Sequence, residues 1–525
     1  MLIKFLVSLL VVIPYIYLKS KKSLHMLQQN WYNDGNRYLK WIGNNKNKVF
    51  VNFDIFFLIF FLGFLTNSLT IMTVFILFYS LSSIIYLKKL KNEKIVKPLV
   101  FTKRVKRLIV TDYLIYIITI ALISISFNEE LLPMYYLIIG LLIYLNYFVI
   151  YISNIINKPI EKSINNSFKK KAINKLNNMS NMKVIGITGS YGKTSSKNIL
   201  NDILNVKYNS FATPKNFNTP LGLIISINNY LDKFNDLFIA EMGAFKRGEI
   251  KELCDLVHPT YGILTKIGVA HLESFGSQEN IRKGKFELIE SLPQDGIGVL
   301  NFDDPLQVSY KLKNKCKIVT IGIDNKDVDF RATNIKLSNN GTSFDLVIKG
   351  DRKKYPFETK LLGKANVYNI LAGIALGYNL GIKIEQLQVG VKKVKAVEHR
   401  LELKKMGNIN IIDDAYNANP DGTKMALDVL YNMPGKKIVI SSGMIELGDK
   451  EYELNKELGK YMKDCDLVIL LGKDLTKPIY DGLMEVKYNK KKIHILKDIN
   501  EAIALINKEK DAYVLIQSDL PDIFN

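Results

Sequence analysis

Residues 184–200 read VIGITGSYGKTSSKNIL. An apolar strand, VIGIT, runs into a turn bounded by Gly189 and Gly192, and GKTSS then opens a helix. The backbone N–H groups of such a turn, with the helix N-terminus behind them, stabilise anionic phosphate. In that setting Lys193 reaches the β and γ phosphates, the Thr194 hydroxyl meets Mg²⁺, and Ser195 completes the first helical turn. The longer pattern GxxxxGK[ST] is not met, because Ile187 stands at its first position; the compact form TGSYGKTS remains. A glycine turn with an incidental lysine is the plain alternative. The strand before it and the helix after it favour a nucleotide.

Upstream of this turn the composition changes. Up to about residue 155 the chain is dominated by Leu, Ile, Phe and Tyr, whereas charged and apolar residues alternate beyond it. Five apolar runs are readable, at about 2–18, 51–67, 69–87, 108–127 and 131–153. Each approaches the roughly 20 residues that cross a hydrocarbon core of roughly 30 Å. The first has no small-residue cleavage site and is followed by KSKKS, so it reads as a retained span and not a signal peptide. Lys and Arg crowd residues 19–48, the segment between runs three and four, and KPIEKSINNSFKKK after run five; TNS and FNEE carry no positive charge. The positive-inside rule then sets the N-terminus outside, with five spans and the remainder of the chain in the cytoplasm. Asp54 and Asp112 fall near span ends and read as interfacial residues that water reaches.

A net charge of +22 raises the question of nucleic acid. Much of the excess flanks the apolar runs, and no basic patch interleaved with aromatics appears, so no nucleic-acid partner is expected. The three cysteines stand far apart and form no CxxC pair, which fits a reducing compartment.

Beyond the phosphate turn, DLFIAEMGAFKRGEI ends an apolar strand on Glu241, where a carboxylate is well placed for a metal. YGILTKIG leads to His271 at the carboxyl end of another strand, and the helix after it carries Lys285 and Glu287. The plain readings are a backbone-satisfied Glu, a structural His and a surface Lys. Past about residue 402, strands INIIDDA, KKIVISSG, DLVILLG and KKIHIL alternate with helices as in a second, Rossmann-like unit.

TGSYGKTS, NFNTPLG, EMGAFKRGEI, the HLESFGS loop, KFE, NVYNILAG, HRLE, DDAYNANPDG and GMIELGD occur in an order that resembles the Mur ligase family. DDAYNANPDG points to the branch that adds D-alanyl-D-alanine to UDP-N-acetylmuramoyl-tripeptide. The resemblance spans about residues 183–515. It implies an ATP-dependent ligase of cell-wall peptide synthesis: a carboxylate takes the γ-phosphoryl group, and an amine attacks the acyl phosphate. It also implies ATP and two Mg²⁺ ions, with Thr194 and Glu241 at the first ion and His271 at the second, and Lys285 carried as a carbamate associated with metal. Lys193, Lys285 and His271 would be catalytic. Gly189, Gly192, Lys193, Thr194 and Ser195 would hold phosphate, Asn369 adenine, and Arg400 with Asp414 the nucleotide as the last domain closes. Asn216, Asn218, Asn417 and Asn419 would face substrate, although Asn417 and Asn419 also suit a turn before Pro420.

The expected organisation is therefore a transmembrane helical region (1–155), a cytoplasmic linker (156–182), a central α/β ATP-binding domain (183–400) and a Rossmann-like C-terminal domain (401–525). The family's UDP-gripping first domain has no room before VIGIT, which makes a lipid-linked carboxylate acceptor the alternative to the muramoyl-tripeptide reading, with membrane lipid as a partner. D-alanyl-D-alanine is the favoured amine; another amino acid or dipeptide on another polymer carboxylate, and a degenerate membrane scaffold, are the alternatives. Three departures fall on the C-terminal domain: Gly443 where Asp is usual, Asn455 where His is usual, and VLIQSDLPDIFN in place of a KGS-type segment.

Overall fold

The strand that enters the glycine turn, β1 (Lys183–Thr188), lies inside a nine-stranded sheet with β2 (Ser210–Ala212), β3 (Leu237–Glu241), β4 (Tyr261–Leu264), β5 (Ile297–Asn301), β6 (Lys317–Gly322), β7 (Phe330–Ser338), β8 (Gly341–Ile348) and β9 (Lys354–Thr359). The order is β2-β3-β1-β4-β5-β6-β7-β8-β9. Pairing is parallel as far as β6–β7 and antiparallel at β7–β8 and β8–β9. Alternation along the strands feeds two cores. Ile185 and Ile187 face the helices Lys193–Leu204 and Gly363–Asn379, while Val184 and Phe238 face Pro220–Asn229, Glu249–Val257 and Gln278–Glu290. A sheet buried on both faces explains why VIGIT reads as a continuous apolar run.

The second sheet comprises β10 (Glu402–Met406), β11 (Ile409–Asp414), β12 (Lys436–Ser441), β13 (Leu467–Leu471), β14 (Ile493–Leu496) and β15 (Ala512–Gln517), in the order β10-β11-β15-β12-β13-β14. Only β10–β11 is antiparallel. Both sheets belong to one compact unit, residues 168–520. The computed structural model describes the chain apart from residues 31, 33, 34, 67, 94–97, 417, 446 and 518–525 and the side chains at 52 and 68.

Gly189 has φ +149°, and a β-carbon placed on it would lie 1.9 Å from Thr265 Oγ1, which donates to the carbonyls of Thr188 and Tyr191. Gly189→Ala is therefore expected to lower stability by about 1–3 kcal/mol. Thermal unfolding of the full chain, compared with the parent, checks this; an unchanged melting temperature contradicts it.

Residues 1–167 form the other unit. Among the described residues three helices are long and apolar enough to cross a membrane, Leu2–Gln29, Leu69–Lys91 and Lys103–Ile125, or four if the bent pair Glu129–Tyr144 and Asn146–Asn177 (75°) is one span. The expectation of five is corrected at 51–67. That run forms a 3₁₀ segment, Asn52–Leu65, with Asp54, Phe57, Phe60 and Gly63 buried at every third position, the period of three residues per turn. Gly63 permits the close approach, since a β-carbon there would fall 1.9 Å from Ile71 Cδ1. Outward faces carry large apolar side chains such as Ile3, Leu65 and Ile125, each more than three-quarters exposed, which suit hydrocarbon better than water.

Asp54 and Asp112 are not interfacial. Both are buried: Asp54 takes Lys19 Nζ at 2.6 Å and the Tyr15 hydroxyl, and Asp112 accepts from Ser20 Oγ at 2.5 Å. Asn146 links Ser20, Ser23 and Tyr116. Burial in an apolar unit selects partners for each charge or amide, because an unpaired one costs several kcal/mol, roughly. The stretch 156–182, read as a linker, is largely helical, since Asn146–Asn177 runs on through Pro159.

Candidate functional site

The carboxyl ends of β1, β3 and β4 lie side by side. Ile187 pairs with Glu241 and Thr188 with Leu264, so the glycine turn and the end of β3 are neighbours by register. The Met242 amide donates to Ile187 O and Thr188 Oγ1 to Met242 O, both at 2.8 Å, which ties the two strand ends together. Gly192 takes φ +79° and sets the helix Lys193–Leu204 in motion without a β-carbon in the turn.

Glu241 is 1% exposed. Its Oε1 accepts from Thr194 Oγ1 at 3.1 Å and from Asn218 Nδ2 at 3.0 Å, and its Oε2 lies 3.2 Å from Lys197 Nζ. Lys193 Nζ donates to the carbonyls of Gly189 (2.7 Å) and Ser190 (3.1 Å). Burial pushes its pKa down to about 8, with Arg400 adding to the shift and Glu241 opposing it. Among the described residues no three His, Cys, Asp or Glu side chains cluster. A carboxylate beside a hydroxyl, all oxygen donors, fits Mg²⁺, which keeps waters and phosphate oxygens as its other ligands.

Two lobes of one cleft meet at Tyr191, Gly192, Arg400 and Asn419. The polar lobe takes in Lys193, Thr194, Glu241, His271, Asn216 and Asn218. His271 stands at φ +60° ahead of the turn Leu272–Phe275, its ring 4.5 Å from that of Phe245. The second lobe takes in Ser195, Asn369 and Asp414 with Asn301, Asp303 and Tyr368. Tyr368 donates to Asp303 Oδ2 at 2.8 Å. Lys285 lies behind the polar lobe, 1% exposed; its Nζ donates to the carbonyl of Ala244, a wall residue, at 3.2 Å. Burial first and the charge of Lys193 second drive its pKa well below the ordinary lysine value.

The two sheets meet across this cleft. Arg400 Nη2 donates to Thr194 Oγ1 at 3.4 Å, its guanidinium stacks 4.1 Å over Tyr416, and Asn216 Nδ2 donates to the Tyr416 hydroxyl at 3.3 Å. His399 and Leu401, on either side of Arg400, both have positive φ (59° and 50°), a strained connection for non-glycine residues. Asp414 accepts from the Leu401 amide at 3.2 Å, and burial pushes its carboxyl up to about 7. Asn419, which lines both lobes, caps the helix Pro420–Tyr431, its Oδ1 accepting from the Gly422 amide at 2.8 Å. Asn417 lies outside the described residues, as does the end of the chain from 518.

Sequence reasoning missed Lys197, Tyr191, Tyr368, Asp303 and Tyr416. Tyr191, Tyr368 and Tyr416 sit inside the motifs TGSYGKTS, NVYNILAG and DDAYNANPDG, and Lys197 lies in the helix just after the first of them; Asp303 had no local signal. Two C-terminal departures prove to be neighbours: a β-carbon on Gly443 would lie 3.2 Å from Asn455 Oδ1, and Asn455 bonds the Met444 amide and carbonyl.

Residues 187–377 match the Mur ligase middle domain and residues 399–519 the Mur ligase glutamate ligase domain. The UDP-N-acetylmuramoyl-tripeptide–D-alanyl-D-alanine ligase of Bacillus subtilis (strain 168) is 35% identical over 297 residues, covering 55% of this chain and 63% of that protein. The Escherichia coli (strain K12) enzyme of the same name is 30% identical over 295 residues, covering 55% and 65%. The chain thus spans less than two thirds of the length of these curated relatives. The crystal structure of MurF ligase from Thermotoga maritima in complex with ADP superposes with a TM-score of 0.60 at 27% identity, covering 68% of this chain and 80% of that one.

Proposed function

Residues 187–377 and 399–519 belong to the Mur ligase family, and on that premise we propose that the chain is an ATP-dependent ligase that joins D-alanyl-D-alanine to a muramoyl-tripeptide carboxylate in peptidoglycan precursor synthesis. The observation that carries this reading is Glu241 Oε1 held 3.1 Å from Thr194 Oγ1 at the head of the phosphate-turn helix. Two anions, carboxylate and γ-phosphate, have to approach each other, so cations gathered there lower the barrier. Lys193 supplies one positive charge and the turn amides supply dipoles. Mg²⁺, held by Thr194 and Glu241, would neutralise phosphate charge, with a second ion beside His271 and a carbamylated Lys285. Asn369 orients adenine in the second lobe. Arg400 and Asp414 close the cleft, exclude water and protect the acyl phosphate from hydrolysis.

A second reading of the acceptor has its own support. An apolar helical unit precedes β1, where the family pattern has a UDP-binding domain, and its outward faces suit lipid. On this reading the acceptor is a lipid-linked carboxylate and the protein is a multi-pass component of the cell membrane with its catalytic unit in the cytoplasm. The full chain in nanodiscs, given ATP, D-alanyl-D-alanine and either a UDP-linked or a lipid-linked muropeptide, tests both. Amide product and ADP with the UDP-linked acceptor support the first, and product with the lipid-linked one alone supports the second. Absence of ADP formation with either acceptor refutes ligase activity on muropeptides.

A further inference from the structure

Lys197 lies one helical turn beyond Lys193, yet its side chain does not reach the cleft. It is 1% exposed, wedged between β3 and the loop after β2. Its ammonium forms an ion pair with Glu241 Oε2 at 3.2 Å and donates a hydrogen bond to the carbonyl of Lys215. Lys215 adopts φ +49°, a left-handed conformation that a non-glycine residue holds only when its surroundings impose it. Asn216 and Asn218, the next polar residues of that loop, bond Tyr416 and Glu241 respectively.

From this arrangement we propose that Lys197 is a positioning residue for the metal-binding carboxylate, a role that rests on Glu241 holding the ion as set out above. A carboxylate can rotate between several orientations. Here Oε2 is engaged on the interior side by a buried ammonium, which leaves Oε1 turned toward Thr194 and the cleft. The same ammonium anchors the loop whose Asn218 donates to Oε1, so one side chain holds both the carboxylate and its second orienting partner. Groups behind a metal ligand act in this way by fixing the ligand's direction and charge. Without that ammonium Glu241 would be left an uncompensated buried charge with nothing on the interior side to fix its orientation.

The test uses the full chain, ADP, and Mn²⁺ as a paramagnetic substitute for Mg²⁺. In Lys197→Met, Mn²⁺ affinity for the protein–ADP complex is expected to fall about ten- to a hundredfold. ADP affinity measured in EDTA should change less than about threefold, because Lys193 and the turn amides are untouched. Lys197→Arg, which keeps the cation, is expected to recover most of the metal affinity. Lys197→Gln, which keeps a donor in the buried slot but no charge, carries the same reading where the methionine variant does not fold. Unchanged Mn²⁺ affinity in the uncharged variants overturns the proposal. So does an equal loss of ADP affinity in EDTA, which would make Lys197 a general support of the turn. Failure of the parent chain to bind Mn²⁺ with ADP removes the metal role of Glu241 itself, and this inference with it.

Discussion

Lys193→Ala is expected to lower acyl-phosphate formation by about three orders of magnitude or more. The ammonium rests on the carbonyls of Gly189 and Ser190 at the mouth of the turn. No other lysine lines the polar lobe among the described residues, and Arg400 arrives from the second sheet. Hydroxylamine trapping of the acyl phosphate in a single turnover measures the effect directly. Full activity in the alanine variant would remove Lys193 from the mechanism. A pH signature accompanies it. With its pKa pushed down to about 8, Lys193 is cationic below that value and increasingly neutral above it. An anionic phosphate favours the protonated form, so ADP affinity in the parent should weaken as pH rises from 7 to 9. Calorimetry on Lys193→Ala should show a weaker affinity with a flatter pH dependence; an identical slope assigns the titration to another group.

Lys285→Ala is expected to reduce turnover about a hundred- to a thousandfold, with partial recovery in the presence of a short carboxylic acid such as acetate. Carbamate formation requires a neutral amine to attack CO₂. Lys285 meets that requirement through its burial and its proximity to the charge of Lys193, which together hold its pKa well below the ordinary value. The product would be an anion that Lys193 favours, so carbamylation would reverse an electrostatic conflict at this position. The slot behind Ala244 and beside the Phe275 ring, 5.3 Å from Nζ, becomes a vacancy in the alanine variant that a small acid fits. Mass spectrometry under bicarbonate, together with turnover with and without acetate, checks both halves. An alanine variant that is fully active without rescue sinks the carbamate.

The legible parts of the site share one property: their chemistry is local. Gly189, Gly192 and Lys193 mark a strand–turn–helix junction within a few residues, and Glu241 is legible as the end of an apolar strand. Lys197 is not, because a lysine four positions after another on an amphipathic helix looks like a solvated face until β3 and the Lys215 loop close over it. Tyr416 likewise acquires meaning only when Arg400 stacks on it and Asn216 bonds it across the cleft. In the helical unit, the run at 51–67 is apolar at nearly every position, so burial at every third residue was invisible against that background. Asp54 and Asp112 looked interfacial because their partners, Lys19 and Ser20, lie 35 and 92 residues away.

By itself the amino-acid order determined the alternation that buries β1 on both faces, the glycine turn with its lysine, and the change from apolar to mixed composition near residue 155. These depend on neighbours within one element, where backbone geometry and side-chain period translate directly into structure. Tertiary structure decided which carboxylate oxygen faces the cleft, which lysine stays buried behind it, and how Arg400 meets Thr194. Those outcomes are set by pairings between segments distant in sequence, in a low-dielectric interior that makes each unpaired charge costly.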